Sequence, residues 1–109
     1  MTEAITYTEF GGPEVLTLID TPTPMPGPGE IAVRVEAAGV NPIDGKLRSG
    51  QRASGPITVP RRVGGDAAGI VTAVGDEVDG FRIGDAVVVF GTSGTYASEI
   101  GRASCRERV

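Results

Sequence analysis

Val63 to Phe90 reads VGGDAAGIVTAVGDEVDGFRIGDAVVVF, two β-branched runs punctuated by Gly65-Asp66, Gly75-Asp76 and Gly84-Asp85. Ala68–Val74 and Ala86–Phe90 carry the strand signal, and Gly75-Asp76, Asp79-Gly80 and Gly84-Asp85 supply the turns between them. Such a stretch predicts compact β structure with tight acidic turns.

Working outward, Glu30–Val40 places Ile31, Val33, Val35 and Ala37 alternately with Arg34 and Glu36, the period of a strand with one face in a core. Its end delivers Gly39-Val40-Asn41-Pro42-Ile43-Asp44. Asn41 suits a helix cap, Pro42 is tolerated in a first turn, and Asp44 complements the dipole, so a short helix is predicted to about Leu47, closed near Gly50. Ala4–Tyr7 and Val15–Asp20 read as two opening strands around the Gly11-Gly12-Pro13 turn. Thr21–Gly29, TPTPMPGPG, has proline at four of nine positions and is a stiff loop. Gln51–Arg62, with Gly55-Pro56 and Pro60, is irregular. Tyr96 opens a last strand that fails: after Ser98 the chain reads EIGRASCRERV, where a barrel needs more alternating apolar residues.

The chain has 109 residues, enough for one domain, with 39% hydrophobic residues, 5% aromatics, 17 Gly and 8 Pro. That balance favours many short strands and turns over long helices. A net charge of −4 is a poor match to nucleic acid, which needs clustered cations. Without an apolar run of the ~20 residues a membrane helix needs, or a basic-then-apolar start, the expectation is a cytoplasmic protein with no membrane partner. Histidine is absent and Cys105 is the single cysteine, so neither a disulfide nor a Cys/His zinc site can be assembled. Asp76, Glu77 and Asp79 lack the spacing of a calcium loop.

Several spaced motifs, in order, resemble the N-terminal GroES-like domain of the medium-chain dehydrogenases/reductases, in their zinc-free quinone oxidoreductase branch. They are Ala37-Ala38-Gly39-Val40-Asn41-Pro42 with Asp44, Arg48 and Gly50, then Gly65-Asp66-Ala67-Ala68-Gly69 with Val71 and Val74-Gly75, and finally Phe81, Gly84-Asp85 and Val87. The resemblance runs from about Ala4 to Ser98 and implies a mainly β, partly open barrel with one or two short helices. The zinc-dependent branch has a cysteine just after the Gly-Val and a His-Glu pair before the second Ala-Gly; here Asn41 or its neighbour and Gly65-Asp66 stand there. The expectation is therefore no zinc.

The resemblance implies a substrate-side domain of an enzyme that uses NADPH, or NADH, to reduce quinones, enones or related carbonyls, with the parent a homodimer. The nucleotide would be held mainly by a Rossmann domain absent from this chain, in which no Gly-x-Gly-x-x-Gly occurs. Residues 1–98 are taken as the domain, about a third of a two-domain parent, and 99–109 as a non-native tail.

Asn41 is the foremost site candidate for catalysis and cofactor contact: its amide both donates and accepts, and the resemblance places it at the cleft, while its residue type also fits a plain helix cap. Asp44 can orient Asn41 or a water, or serve only the helix dipole. Lys46, the only lysine, is a candidate cofactor contact with Arg48 beside it, against a solvated helix face. Asp66 is expected to accept backbone amides around Gly64-Gly65. Thr92, Ser93 and Thr95 offer hydroxyl donors or ordinary turn chemistry, and Cys105, with no histidine to activate it, is assigned no function. The rival classes are a non-enzymatic, chaperonin-type GroES-like barrel, which fits poorly with the stiff Thr21–Gly29 loop, and a swinging-arm carrier, for which Lys46 is misplaced.

Overall fold

A computed structural model of the chain describes residues 1–103 and 106–109; Cys105 lies outside them. The spine is strand β3, introduced in its place in the order β1 (Thr2–Tyr7), β2 (Thr17–Thr21), β3 (Ile31–Ala38), α1 (Pro42–Ser49), β4 (Arg61–Arg62), β5 (Ala67–Val74), β6 (Ala86–Val89), β7 (Glu99–Ala103) and β8 (Arg106–Arg108). A three-stranded sheet runs β2-β1-β4 and a five-stranded sheet β7-β3-β5-β6-β8. Every strand pairing is antiparallel. An isolated bridge, Ala4 to Ala97, ties β1 to the segment that leads into β7.

The predicted alternation in β3 holds from Val33 to Glu36, whereas at the start Ala32 is buried along with Ile31 and Val33. Ile31 and Val33 are buried against Val71, Val87 and Val89, and Arg34 and Glu36 stand outside, paired at 3.0 Å. It does not hold to the end, because a bulge between Val35 and Ala37 turns Ala37 to the exterior. Gly69 faces Val35 at this bulge, and a β-carbon there would overlap the carbonyl oxygen of Arg34. Only glycine permits the two backbones to come so close. The opening strands also shift: Pro13–Val15 forms a 3-10 turn, so β2 starts at Thr17 instead of Val15.

The chain beyond Ser98 departs from the sequence expectation, since β7 forms there and pairs with β3. Ile100 faces Val33 and Ala103 faces Ile31, so three steps along β7 match two along β3. The extra residue brings both apolar side chains to the same face, where Ile100 is 6% exposed and Ala103 fully buried. A strict period of two hides this pattern. β8 then pairs with β6, Val87 opposite Arg108 and Val89 opposite Arg106. Arg106 and Arg108 lie over the Phe81 ring at 4.9 and 5.6 Å, and Arg108 meets Asp85 at 2.9 Å. The Arg82 backbone N–H, helped by Arg108, holds the Asp85 carboxyl below its ordinary value.

β7 and β8 are the two edges of one sheet, yet only two residues separate them in sequence. Three steps of chain reach at most about 11 Å. The sheet must therefore curl until its edges nearly meet, although no pairing among the described residues joins them. The result is the partly open barrel expected, with one α-helix on its side. Replacing Ile100 with alanine should cost about 2–4 kcal/mol in urea unfolding; a loss under about 0.5 kcal/mol, the scale of a surface change, is incompatible with the β7 packing described.

Candidate functional site

The site grows from the end of β3. Gly39 continues the ladder, its N–H donating to the Asp66 carbonyl at 3.1 Å. A β-carbon on Gly39 would strike the Asp66 carboxylate, so the glycine lets that side chain lie against the strand end. Asn41 is the N-cap of α1, with extended φ −120° and ψ 153°, and Pro42 takes the first helical place. Gly50 closes the helix at φ +82°, a left-handed position suited to glycine.

Asn41 and Asp44 are brought together. The Asn41 N–H donates to Asp44 Oδ2 at 2.9 Å, and the Asp44 N–H donates to the Asn41 carbonyl at 3.0 Å. The Asn41 side-chain amide turns outward from the helix and donates through Nδ2 to Asp66 Oδ2 at 3.1 Å. Asp66 was expected to receive backbone amides near Gly64-Gly65; its carboxylate instead accepts this side-chain bond, because the β3–β5 register carries it to the helix cap.

Asp44 Oδ2 also accepts the Tyr96 hydroxyl at 3.0 Å. Burial first, and then the bond to the Asp44 carboxylate, push the Tyr96 phenol up to about 12. The phenol is thus neutral and a donor across the physiological range. Asp66, Asn41, Asp44 and Tyr96 form one hydrogen-bonded run drawn from three separate segments of chain, Asn41 and Asp44 sharing the helix start. Sequence reasoning treated Tyr96 only as the opening of a strand. It is one of two tyrosines and lies 52 residues from Asp44, with no local pattern to connect them.

Asp44 carries this run to a cleft of about 610 Å³ lined also by Ile43, Leu47, Arg61 to Gly65, Thr92 and Ser93; Asn41, Asp66 and Tyr96 stand behind Asp44 and are not part of the lining. Thr92 and Ser93 therefore present hydroxyls to it. Thr95 is buried instead, its Oγ1 without a partner behind Gly64. Lys46 is exposed on α1 and is not part of the cleft wall. Arg48 turns away, its Nε donating to the Gly11 carbonyl at 3.2 Å. Among the described residues no group of three or more Asp, Glu, Cys or His is placed to hold a metal ion.

An antiparallel, partly open barrel with a capped helix beside a cleft is the architecture of a GroES-like domain. Residues 27–107 match the alcohol dehydrogenase GroES-like domain, and the chain belongs to that family. It is 45% identical over 96 residues to the quinone oxidoreductase of Mus musculus, covering 86% of this chain and 29% of that protein. A mycobacterial structure complexed with NADPH shares 37% identity at a TM-score of 0.83, covering 100% of this chain and 32% of the other. The Escherichia coli quinone oxidoreductase complexed with NADPH shares 33% identity at a TM-score of 0.76, covering 92% and 31%. The chain spans about 30% of the length of the relatives it matches.

The half-buried phenol has a measurable signature. Unfolded tyrosine titrates near 10, so the stability that Tyr96 contributes is full below pH 10 and lost as pH rises through about 12. A spectrophotometric difference titration, wild type minus Tyr96→Phe, should show one phenol ionising near pH 12. A transition at pH 10 would contradict the burial and bond described.

Proposed function

We propose that this chain is the substrate-side domain of a zinc-independent, NAD(P)H-dependent oxidoreductase that reduces quinones, enones or related carbonyls. The observation that carries the reading is the likeness to quinone oxidoreductases across nearly the whole domain, the cleft-lining segments included. The donor set fits the nicotinamide end of such a cofactor: Ile43, Leu47 and Val63 give apolar walls, and Thr92 and Ser93 give hydroxyls. The remainder of the nucleotide is assigned to a further domain of the parent. When bound, the cofactor supplies a hydride equivalent.

The chain's own residues orient, exclude water and hold protons. Asp44 fixes the Asn41 backbone and the Tyr96 phenol through one oxygen, Oδ2, so the helix cap and the Tyr96 segment keep one spacing. Tyr96 keeps its proton on the phenol oxygen. Asn41 has a second amide hydrogen beyond the one given to Asp66, and we assign it, with the Thr92 hydroxyl, to the oxygen on which charge develops. Lys46 is assigned a cofactor contact from the exposed flank of α1. A quinone or enone spreads the arriving charge over its conjugated system, and this chain offers neither a histidine nor a cysteine pair to hold catalytic zinc.

No helix among the described residues is long and apolar enough to cross a membrane; we place the parent in the cytoplasm as a homodimer. We also propose that the natural chain continues differently beyond Ser98, residues 99–109 being joined to it. Their pairing into the sheet concerns fold and leaves origin to the source DNA.

The test is turnover by the parent recovered from that DNA. NADPH-dependent reduction of 1,4-benzoquinone should proceed unchanged after exhaustive chelation, and Asn41→Ala should lower kcat by about a hundredfold. Loss of activity on chelation sinks the zinc-independent part, and an unaltered kcat in the variant sinks the role of Asn41.

A further inference from the structure

Charge is unevenly spread around the cleft. Gly45 to Gly65 contains Lys46, Arg48, Arg52, Arg61 and Arg62, half of the chain's cations, and none of its fourteen carboxylates. The ion pairs among the described residues, Arg34–Glu36 and Arg108–Asp85, lie elsewhere. Two of these arginines are committed to structure. Arg48 holds Gly11, and Arg61 donates to Ser54 Oγ at 2.7 Å and to the carbonyls of Ser54, Gly55 and Pro56 while lying over Phe10.

Arg62, the neighbouring residue on β4, is different. It is exposed, and the structure gives it only a 3.5 Å approach of Nη2 to Thr21 Oγ1. With Ser93 it lines both the 610 Å³ cleft and an adjoining hollow of about 290 Å³; Glu99 lines the hollow as well, so an anion on Arg62 is favoured on the side of the larger cleft. A guanidinium without a counter-ion, at the shared rim of two cavities and beside a hydroxyl, is suited to a carboxylate or phosphate oxygen. Asp44, which lines the same cleft, repels that group and so favours its placement at Arg62.

We infer that the acceptor substrate is itself anionic: a quinone or enone bearing a carboxylate or phosphate, its ring beside Asp44 and its anionic group on Arg62 and Ser93. Lys46 and Arg52, both exposed in the same acid-free stretch, add to the attracting field. The inference rests on the oxidoreductase reading and names its substrate class. Phosphates of the cofactor share the chemistry, but Arg62 shares its cleft with Asp44, where the acceptor ring is placed.

The test is a binding titration of the 109-residue chain, followed by amide NMR signals of Thr92 and Ser93. The probes are 2,3-dimethyl-1,4-naphthoquinone, which has no open quinone position for thiol addition, the same molecule with a carboxylate on its benzo ring, and inorganic pyrophosphate. The carboxylated probe should bind on the order of fivefold more tightly than the uncharged one at low salt. That ratio should fall to near one in 0.5 M NaCl and in Arg62→Gln, and return in Arg62→Lys. Equal affinities, or a ratio that survives Arg62→Gln, overturn the inference. So does pyrophosphate binding as tightly as the carboxylated quinone, which assigns Arg62 to the cofactor. If the parent reduces no acceptor while the ratio holds, the oxidoreductase reading fails and the anion site stands; if it reduces quinones and the ratio is absent, the inference alone fails.

Discussion

The ladder between β3 and β5 is the constraint on which the rest depends. Its register sets Val33 against Val71 and so fixes which side chains fill the barrel. Its bulge brings the Arg34 carbonyl against Gly69, and its continuation places Gly39 beside Asp66. A slip of one residue would turn the core face outward and carry Asp66 away from the helix cap. Core and site are therefore specified by the same set of backbone bonds.

On that frame, one carboxylate does most of the positioning. Asp44 accepts from its own helix cap and from a phenol that arrives from the far end of the chain. Removing it would leave two donors facing a half-buried space, which costs more than either bond contributes alone. The cap and the site are not competing descriptions of Asn41 and Asp44. A helix entry rigid enough to cap well is also rigid enough to hold the Asn41 amide on the Asp66 carboxylate and the Tyr96 phenol on Asp44.

The sequence made legible what is periodic or locally punctuated. β5, β6, the proline-rich loop, and the helix with its Asn41 start and Gly50 close all follow from patterns within a few residues. What escaped depends on registers between distant segments. The bulge that exposes Ala37 is invisible in an alternating run, and the strand at Glu99–Ala103 reads as patternless because Ile100 and Ala103 share a face only after an added residue. Tyr96 and Asp66 escaped for the same reason: each meets the helix cap through pairing, and no spacing in the chain announces it. Lys46 stood out by being unique in composition, which says nothing of direction.

Both edges of the five-stranded sheet are covered by the last eleven residues of the chain. Without the segments that form β7 and β8, β3 and β6 would present unpaired backbone to their surroundings. Such edges are templates for pairing with another chain. One short segment thus shields the sheet on two sides at once, and a sheet lacking it would be open to aggregation at both, whatever the quality of its core.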